Sequence, residues 1–261
     1  MCPRSSRFVT GRGGWTENGR MVCHCLLVET SDGLILVDTG IGTGDCDEPK
    51  SIARPLREIV RPRLRRDETA LAQVEALGFS ASDVRHVVQT HLDFDHASGL
   101  PDFPGAEVHV FGPELDAMRN PGLRERPRYS PRYFAHARFV RHEVEGDRWL
   151  GFESVRVLDG DSQVALIPME GHSRGHCAVA VDAGDGWLLH CGDAYFHEDE
   201  MAESPGCPPG LVAFQGFTGL DHGKRRRNKR RLNQFAQEHR DDVRLFCSHD
   251  AAELERLQAA G

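Results

Sequence analysis

The segment THLDFDHASG, residues 90–99, places four potential metal ligands within six positions. They are His91, Asp93, Asp95 and His96. Imidazole nitrogens and carboxylate oxygens are the donors that zinc, manganese and iron take in proteins. The segment directly follows Val84 to Gln89, a short stretch with three valines that we interpret as a buried strand. Because side chains converge on ligands at the carboxyl ends of strands in α/β sheets, the segment predicts a metal site.

Apolar runs and turn residues on both sides of this segment predict an alternation of strands and helices. A hairpin is expected from residues 21–29 and 34–37 around a turn at Ser31-Asp32-Gly33. Further strands are predicted at 84–89, 107–111, 154–158, 164–168, 178–182, 187–191 and 243–247, and helices at 70–77, from 113 onward and at 224–238. Two strand-rich halves with interspersed helices indicate two packed sheets with helices outside.

Two segments lack this regularity and are predicted to be lid or pocket insertions within a single domain, 1–261. Residues 41–66 are rich in glycine, proline and charge. Residues 111–150 combine prolines with arginines and aromatic side chains, which suits a pocket wall. A solvated loop with a few anchoring aromatic residues is the alternative for the second segment.

Composition limits the classes of function. The 261 residues carry a formal net charge of −8, which argues against a surface that coats nucleic acid. No apolar run approaches the roughly 18 residues that a membrane span requires, and the N-terminal residues have no apolar signal core. The eight cysteines include no CxxC pair, so we expect reduced thiols in a cytoplasmic protein without membrane contact.

Two local patterns could indicate additional sites. Residues 224–231 hold seven cations in eight positions, which fits either the wet face of a helix or a phosphate-binding ridge, and we favour the helix face. The triplet Cys23-His24-Cys25 looks like half of a metal site. Because residues i and i+2 of a strand share one face and no partner pair exists, we interpret the triplet as core packing.

Four other segments place metal-ligand residue types next to predicted strands. They are VDTG at 37–40, GHSRGH at 171–176, CGDA at 191–194 and CSHD at 247–250. A single histidine at a strand end is usually structural, but the joint order of these motifs is far more specific.

Taken in order, the motifs resemble the metallo-β-lactamase fold, in particular its glyoxalase II-like and acyl-homoserine-lactonase-like branches. The resemblance spans residues 22–250. It implies an α/β fold, an αββα sandwich of two packed mixed β-sheets with helices on the outer faces. By this resemblance the metal ligands are His91 and His172 at a first ion, Asp95, His96 and His249 at a second, and Asp193 between the two. His176 would orient a ligand, and Asp38 would brace the ligand loops from behind.

The chain departs from the family pattern at Asp93, where the family usually has a second histidine. In one interpretation Asp93 is a carboxylate ligand of the first ion. Two divalent ions, most simply zinc, would then be balanced by three carboxylates and one hydroxide, and the harder ligand set would move the preference toward manganese or iron. In the other, Asp93 abolishes the first position and leaves one ion or a degenerate binding protein.

The implied activity is hydrolysis of a small lactone or ester by a hydroxide held between the two ions, with Asp95 and Asp193 as catalytic carboxylates. Tyr195 lies two residues after Asp193, where the lactonase branch has a tyrosine at three, so either a carbonyl contact or core packing is expected. One alternative is a thioesterase whose arginines at 54–66 and 119–132 bind a carboxylate-bearing carrier. Another is a nucleic-acid phosphodiesterase that uses the basic helix.

Overall fold

The computed structural model describes residues 1–158 and 163–260, so residues 159–162 and 261 of the predicted domain lie outside the described residues. Its first sheet has the strand order β1-β2-β3-β4-β5. These strands are β1 (Leu26–Thr30), β2 (Gly33–Val37), β3 (Val84–Val88), β4 (Glu107–Phe111) and β5 (Arg138–His142). Strands β1 and β2 pair antiparallel, whereas β2 to β5 run parallel, so the sheet is mixed.

The second sheet is also mixed. A small hairpin of β6 (Arg148–Trp149) and β7 (Phe152–Glu153) precedes it. Its strands are β8 (Val155–Leu158), β9 (Val164–Pro168), β10 (Cys177–Asp182), β11 (Trp187–His190) and β12 (Val243–Phe246), in the spatial order β12-β11-β10-β9-β8. In the described part of this sheet, β11 and β12 pair in parallel, and the other neighbouring strands pair antiparallel.

Strand β2 illustrates how the layers pack. Ile35 and Val37 belong to the core between the two sheets, where they join Leu166 and Val179 of the second sheet. Leu36, on the opposite face of β2, belongs to the core under the outer helices. Because both faces of the strand are buried, its sequence is a continuous apolar run instead of an alternating one.

Helices cover the outer faces of both sheets. The α-helices of the described residues are α1 (Ser6–Thr10), α2 (Thr43–Asp47), α3 (Arg54–Val60), α4 (Ala70–Ala76), α5 (Phe94–Ala97), α6 (Gly112–Arg119), α7 (Pro131–Phe134), α8 (Pro209–Thr218), α9 (His222–Glu238) and α10 (Ala251–Ala260). Val74 of α4 and Leu115 of α6 pack on the first sheet, and Leu232 and Phe235 of α9 pack on the second. This is the predicted αββα sandwich. No helix within the described ranges is long and apolar enough to cross a membrane.

One predicted boundary was wrong, and one strand was missed. The first strand begins at Leu26, because Val22 and His24 bond instead to the loop that carries His249. The amide of His24 donates to the carbonyl of Ser248 at 2.9 Å. Strand β5, which the sequence placed inside an insertion at 111–150, forms the edge of the first sheet. Its RFVRH sequence carries three basic residues in five and lacks the apolar run of a central strand.

The basic run lies on α9 and is partly used within the fold. Lys224 pairs with Glu170 at 3.2 Å. The guanidinium of Arg231 stacks on the ring of Phe152, 3.9 Å from its centroid. These contacts favour the predicted helix-face interpretation.

Candidate metal centre

All seven predicted ligands lie at the carboxyl ends of strands and converge on one point. The loop that holds His91, Asp93, Asp95 and His96 follows β3, and His172 follows β9, Asp193 follows β11 and His249 follows β12. Each of these residues is less than one-fifth exposed at its side chain. The seven residues are spread over 159 positions of the sequence, from 91 to 249. The structure brings them together at the ends of strands from both sheets.

Asp193 is the centre of this group. Its Oδ1 lies 3.1 Å from Nε2 of His249 and 3.2 Å from Nε2 of His96. Its Oδ2 lies 3.3 Å from Nε2 of His172 and 3.9 Å from Nε2 of His91. One carboxylate thus faces a pair of imidazoles with each oxygen, which is the arrangement expected of a ligand between two ions.

The two oxygens of Asp193 define two half-sites. The first half-site consists of His91, Asp93 and His172 beside Oδ2 of Asp193. Within it, Oδ2 of Asp93 lies 3.1 Å from Nε2 of His172 and 3.5 Å from Nε2 of His91.

The second half-site consists of Asp95, His96 and His249 beside Oδ1 of Asp193. The carboxylate oxygens of Asp95 lie 3.5 Å from Nε2 of His249 and 4.0 Å from Nε2 of His96. The ligand atoms of His91, Asp93 and His172 in the first half-site lie within 4.8 Å of one another, as do those of Asp95 and His249 in the second, so either half-site could surround a single ion.

Contacts behind the ligands orient two of the imidazoles. Asp38 accepts hydrogen bonds from the amide and hydroxyl of Thr90 and from Nδ1 of His96, all at 2.8 Å. Nδ1 of His249 donates to the carbonyl of Val22 at 2.7 Å. Because each Nδ1 is the donor, each Nε2 is left as a lone-pair donor for a metal. Asp38 thus occupies the bracing position predicted from the sequence.

His176 fixes the loop that carries Asp193. Its Nδ1 donates to the carbonyl of Met169 at 3.0 Å, and its Nε2 accepts the amide of Asp193 at 2.8 Å. Gly192 has φ +53°, and a Cβ there would lie 2.6 Å from Nε2 of His176. Glycine is therefore required for the close approach that aims Asp193.

The residues fit a divalent metal. Among the described residues, Nε2 of His91, Nε2 of His96 and Oδ1 of Asp193 are buried without a hydrogen-bond partner. Each such atom costs about 1 to 3 kcal/mol unless something satisfies it. Burial opposes ionisation, but His249, His96 and His172 hold the pKa of Asp193 well below its ordinary value. The group therefore presents unpaired lone pairs around a charged carboxylate, the environment that a cation stabilises.

Comparison with known proteins places this centre in a family. The family model of the metallo-beta-lactamase superfamily matches residues 18–244. The chain belongs to this superfamily. A probable metallo-hydrolase of Mycobacterium tuberculosis is 44% identical over 233 residues, which cover 88% of this chain and 75% of the relative. An N-acyl homoserine lactonase of Azorhizobium caulinodans is 29% identical over 195 residues, covering 72% and 69%.

Solved structures of lactonases share the fold. An N-acyl homoserine lactone hydrolase with N-hexanoyl-L-homoserine at its catalytic metal centre aligns with a TM-score of 0.69 at 20% identity, covering 98% of this chain and 92% of its own. A dizinc quorum-quenching lactonase aligns with a TM-score of 0.62 at 16% identity, covering 95% and 84%. The predicted family, fold and enzyme class, a metallo-hydrolase, are thereby confirmed.

Two residues that the sequence did not assign to this superfamily centre lie against it. Cys23, interpreted as core packing, has its Sγ within 4.8 Å of ligand atoms of Asp95 and His249. Burial, followed by the charge of Asp95, raises the pKa of Cys23 to about 12. Arg128 donates from Nη1 to Oδ2 of Asp93 at 2.5 Å. The sequence signal for Arg128 was only its membership of an arginine-rich segment.

Glu114 of α6 connects the ligand loops to the segment around Tyr129. Its Oε1 accepts the amide of Leu92 and the hydroxyl of Tyr129, both at 3.1 Å. Its Oε2 accepts the hydroxyl of Ser173 at 2.7 Å and the amide of Gly175 at 2.9 Å. A fully buried carboxylate with four donors thus holds together the loops that carry His91 and His172.

Tyr195 is not brought into the group. Its side chain is fully buried in the core that packs α9 on the second sheet. Its hydroxyl donates to Oε1 of Glu253 at 2.8 Å. A catalytic contact of Tyr195 stays a prediction, and this placement favours the packing alternative.

Replacing Tyr195 with phenylalanine should lower stability and leave turnover and metal content unchanged. The substitution removes one hydrogen bond from the buried carboxyl group of Glu253, which costs about 1 to 3 kcal/mol. Thermal unfolding and steady-state kinetics on the same preparation measure both effects. A slower turnover with full metal content would instead give the hydroxyl a catalytic role.

Glu253 should make stability depend on pH. Burial raises the pKa of Glu253 from its ordinary 4.5 to about 7. Between these values the folded chain keeps a proton that the unfolded chain loses, so stability falls as pH rises through this window, by about 3 kcal/mol. Thermal unfolding between pH 5 and 8 should show a smaller fall for Glu253→Gln than for the wild type. If the stability of both proteins fell equally with pH, Glu253 would not be the group responsible.

Proposed function

We propose that the chain hydrolyses a small lactone or ester at this centre and that two divalent ions, most simply zinc, bind in the two half-sites. The observation that carries the proposal is the position of Asp193, with two imidazole nitrogens facing each carboxylate oxygen. Lactonases among the relatives and a dizinc lactonase among the similar folds support the reaction class and the metal.

The proposed roles follow from the placement of the side chains. When bound, divalent metals supply a nucleophilic hydroxide near neutral pH and a Lewis acid for the carbonyl oxygen. Asp193 would hold the two half-sites at a fixed separation. Asp95 makes no short contact with the nearby imidazoles, since its Oδ2 lies 3.5 Å from Nε2 of His249 and its Oδ1 lies 4.0 Å from Nε2 of His96. We therefore assign Asp95 to accept the proton of the attacking water and return it to the leaving alkoxide.

A cavity adjoins the second half-site and could bind the substrate's side chain. Its volume is about 620 Å³, and Cys23 lies both in its wall and beside Asp95. Its lining combines apolar side chains, such as Met21, Leu36 and Val74, with charged ones, such as Arg63 and Glu68. The apolar part fits an acyl or alkyl group attached to the ester.

The thioesterase alternative has less support. It depends on arginines that are free to bind a carboxylate-bearing carrier. Arg66 instead pairs with Asp47, and Arg128 pairs with Asp93. The phosphodiesterase alternative is weakened in the same way by the contacts of the basic run on α9.

A cytoplasmic location is part of this proposal. All eight cysteines are free, including fully buried thiols such as Cys177, Cys191 and Cys247. Reduced thiols without disulfides are typical of proteins that fold in a reducing compartment.

A substrate panel tests the proposed activity. The metal-loaded chain would be assayed with acyl lactones, aryl esters, thioesters and bis-nitrophenyl phosphate, beside an EDTA-treated sample. We expect turnover of lactones or esters that is lost with the chelator and restored by zinc. Faster turnover of thioesters or of the phosphodiester would favour the corresponding alternative, and turnover that survives metal removal would overturn the proposal.

A further inference from the structure

A guanidinium group lies inside the first half-site. Nη1 of Arg128 donates to Oδ2 of Asp93 at 2.5 Å and lies 3.4 Å from Nε2 of His172. Its Nη2 donates to the carbonyls of His172 and Thr218. The Arg128 side chain is only 10% exposed. It is therefore a fixed cation tied to three segments of the chain, unlike a mobile surface arginine.

This cation uses the carboxylate oxygen that an ion in the first half-site would need. Oδ2 of Asp93 is also the oxygen nearest to the imidazoles of His172 and His91. Asp93 occupies the N-cap position of α5 but makes no side-chain capping bond there, although aspartate at this position normally caps the helix. Its carboxylate is instead directed to Arg128 and His172.

The second half-site has no such competitor. Within the described ranges, neither Asp95 nor Asp193 forms an ion pair with lysine or arginine. Cys23 lies close enough to Asp95 and His249 to add a ligand. An ion in the second half-site would therefore contact only metal ligands. An ion in the first half-site would share Asp93 with the guanidinium of Arg128, whose positive charge repels the ion.

The formal charge of the centre also disfavours a second ion. Asp93, Asp95 and Asp193 carry three negative charges, and Arg128 reduces the total to two, one fewer than two divalent ions and a hydroxide require. A count of the carboxylates alone balances two ions and one hydroxide, but it omits the guanidinium.

We propose that Arg128 makes the two half-sites unequal. The second half-site binds its ion tightly, and the first half-site binds an ion only when Arg128 releases Asp93. Arg128 is thus a positioning residue that sets how many metal ions the chain holds. This inference rests on the proposed function, because it concerns the same metal centre.

Titration of the full chain with Co²⁺ after chelator treatment tests the inference, with visible absorbance and elemental analysis as readouts. Breaking a buried charge pair typically changes affinity by two orders of magnitude. We therefore expect the wild type to bind one equivalent tightly and a second about 100-fold more weakly. In Arg128→Met, which keeps the aliphatic stem, the second equivalent should approach the affinity of the first.

Arg124→Met is the matched control. Arg124 belongs to the same segment and donates to the carbonyl of Gly219 at 3.2 Å, next to the carbonyl of Thr218 that Arg128 contacts. This variant should titrate like the wild type. If Arg128→Met fails to fold, the wild-type titration still decides. Two equivalents of equal affinity in the wild type would overturn the inference alone, and no bound metal would overturn the proposed function with it.

Discussion

Replacing Asp193 with asparagine should remove the metal and abolish activity without unfolding the chain. Asparagine keeps the size of the side chain and the amide that donates to His176. It removes the negative charge and one of the two oxygens that face the imidazole pairs. Metal catalysis contributes several kcal/mol to the transition state, so its loss should lower kcat/KM by about 10³-fold or more.

Elemental analysis, kinetics and thermal unfolding of the variant measure the three parts of this prediction. Asp185→Asn is the control, because Asp185 is exposed and pairs only at the surface with Arg244. It should retain metal and full activity. An Asp193→Asn protein with full metal content would show that the carboxylate does not hold the ions, and the proposed centre would have to be abandoned.

The ligand loops could be predicted because each follows a strand that is visible in the sequence. The strand that ends at Val88 shows where the carboxyl ends of the first sheet lie, and the strand that ends at His190 does the same for the second sheet. Loops that follow strands with their carboxyl ends on the same side of the sheets lie close together. Histidines and aspartates at those positions could therefore be grouped before any distance was known.

The contacts of Arg128 and Glu114 could not be predicted in this way. Arg128 meets a carboxylate 35 positions earlier, and Glu114 meets a glycine amide 61 positions later. Neither residue belongs to a spaced motif, and the segment around Arg128 has no regular periodicity. Their partners depend on how the loops fold over the sheet, which composition and spacing do not specify.

The error at residues 21–25 has a similar cause. The run from Met21 to Val28 is apolar except for His24, so the sequence contains no sign of where its backbone changes partners. Val22 and His24 lie outside the sheet and donate to the carbonyls of His249 and Ser248. This change of partner brings Cys23 to the second half-site, a position that an extension of β1 would not provide.

Replacing Glu114 with alanine should destabilise the fold by about 3 to 5 kcal/mol, because it leaves four buried donors without an acceptor. For a chain of this size that corresponds to a fall in Tm of about 10 °C. The loss should also loosen both ligand loops, since Leu92 adjoins His91 and Ser173 adjoins His172. Thermal unfolding of the metal-free and metal-loaded protein measures the effect, and the metal-loaded protein should show the larger fall.

Two variants make this prediction specific. Glu114→Gln should lie between the wild type and alanine, because the amide oxygen still accepts from Leu92 and Tyr129 while the amide nitrogen opposes the donor of Gly175. Glu203→Ala removes an exposed glutamate that pairs weakly with Arg240 and should change stability by less than about 0.5 kcal/mol. If Glu114→Ala had the same Tm as the wild type, the four hydrogen bonds of Glu114 would not be what holds the two ligand loops together.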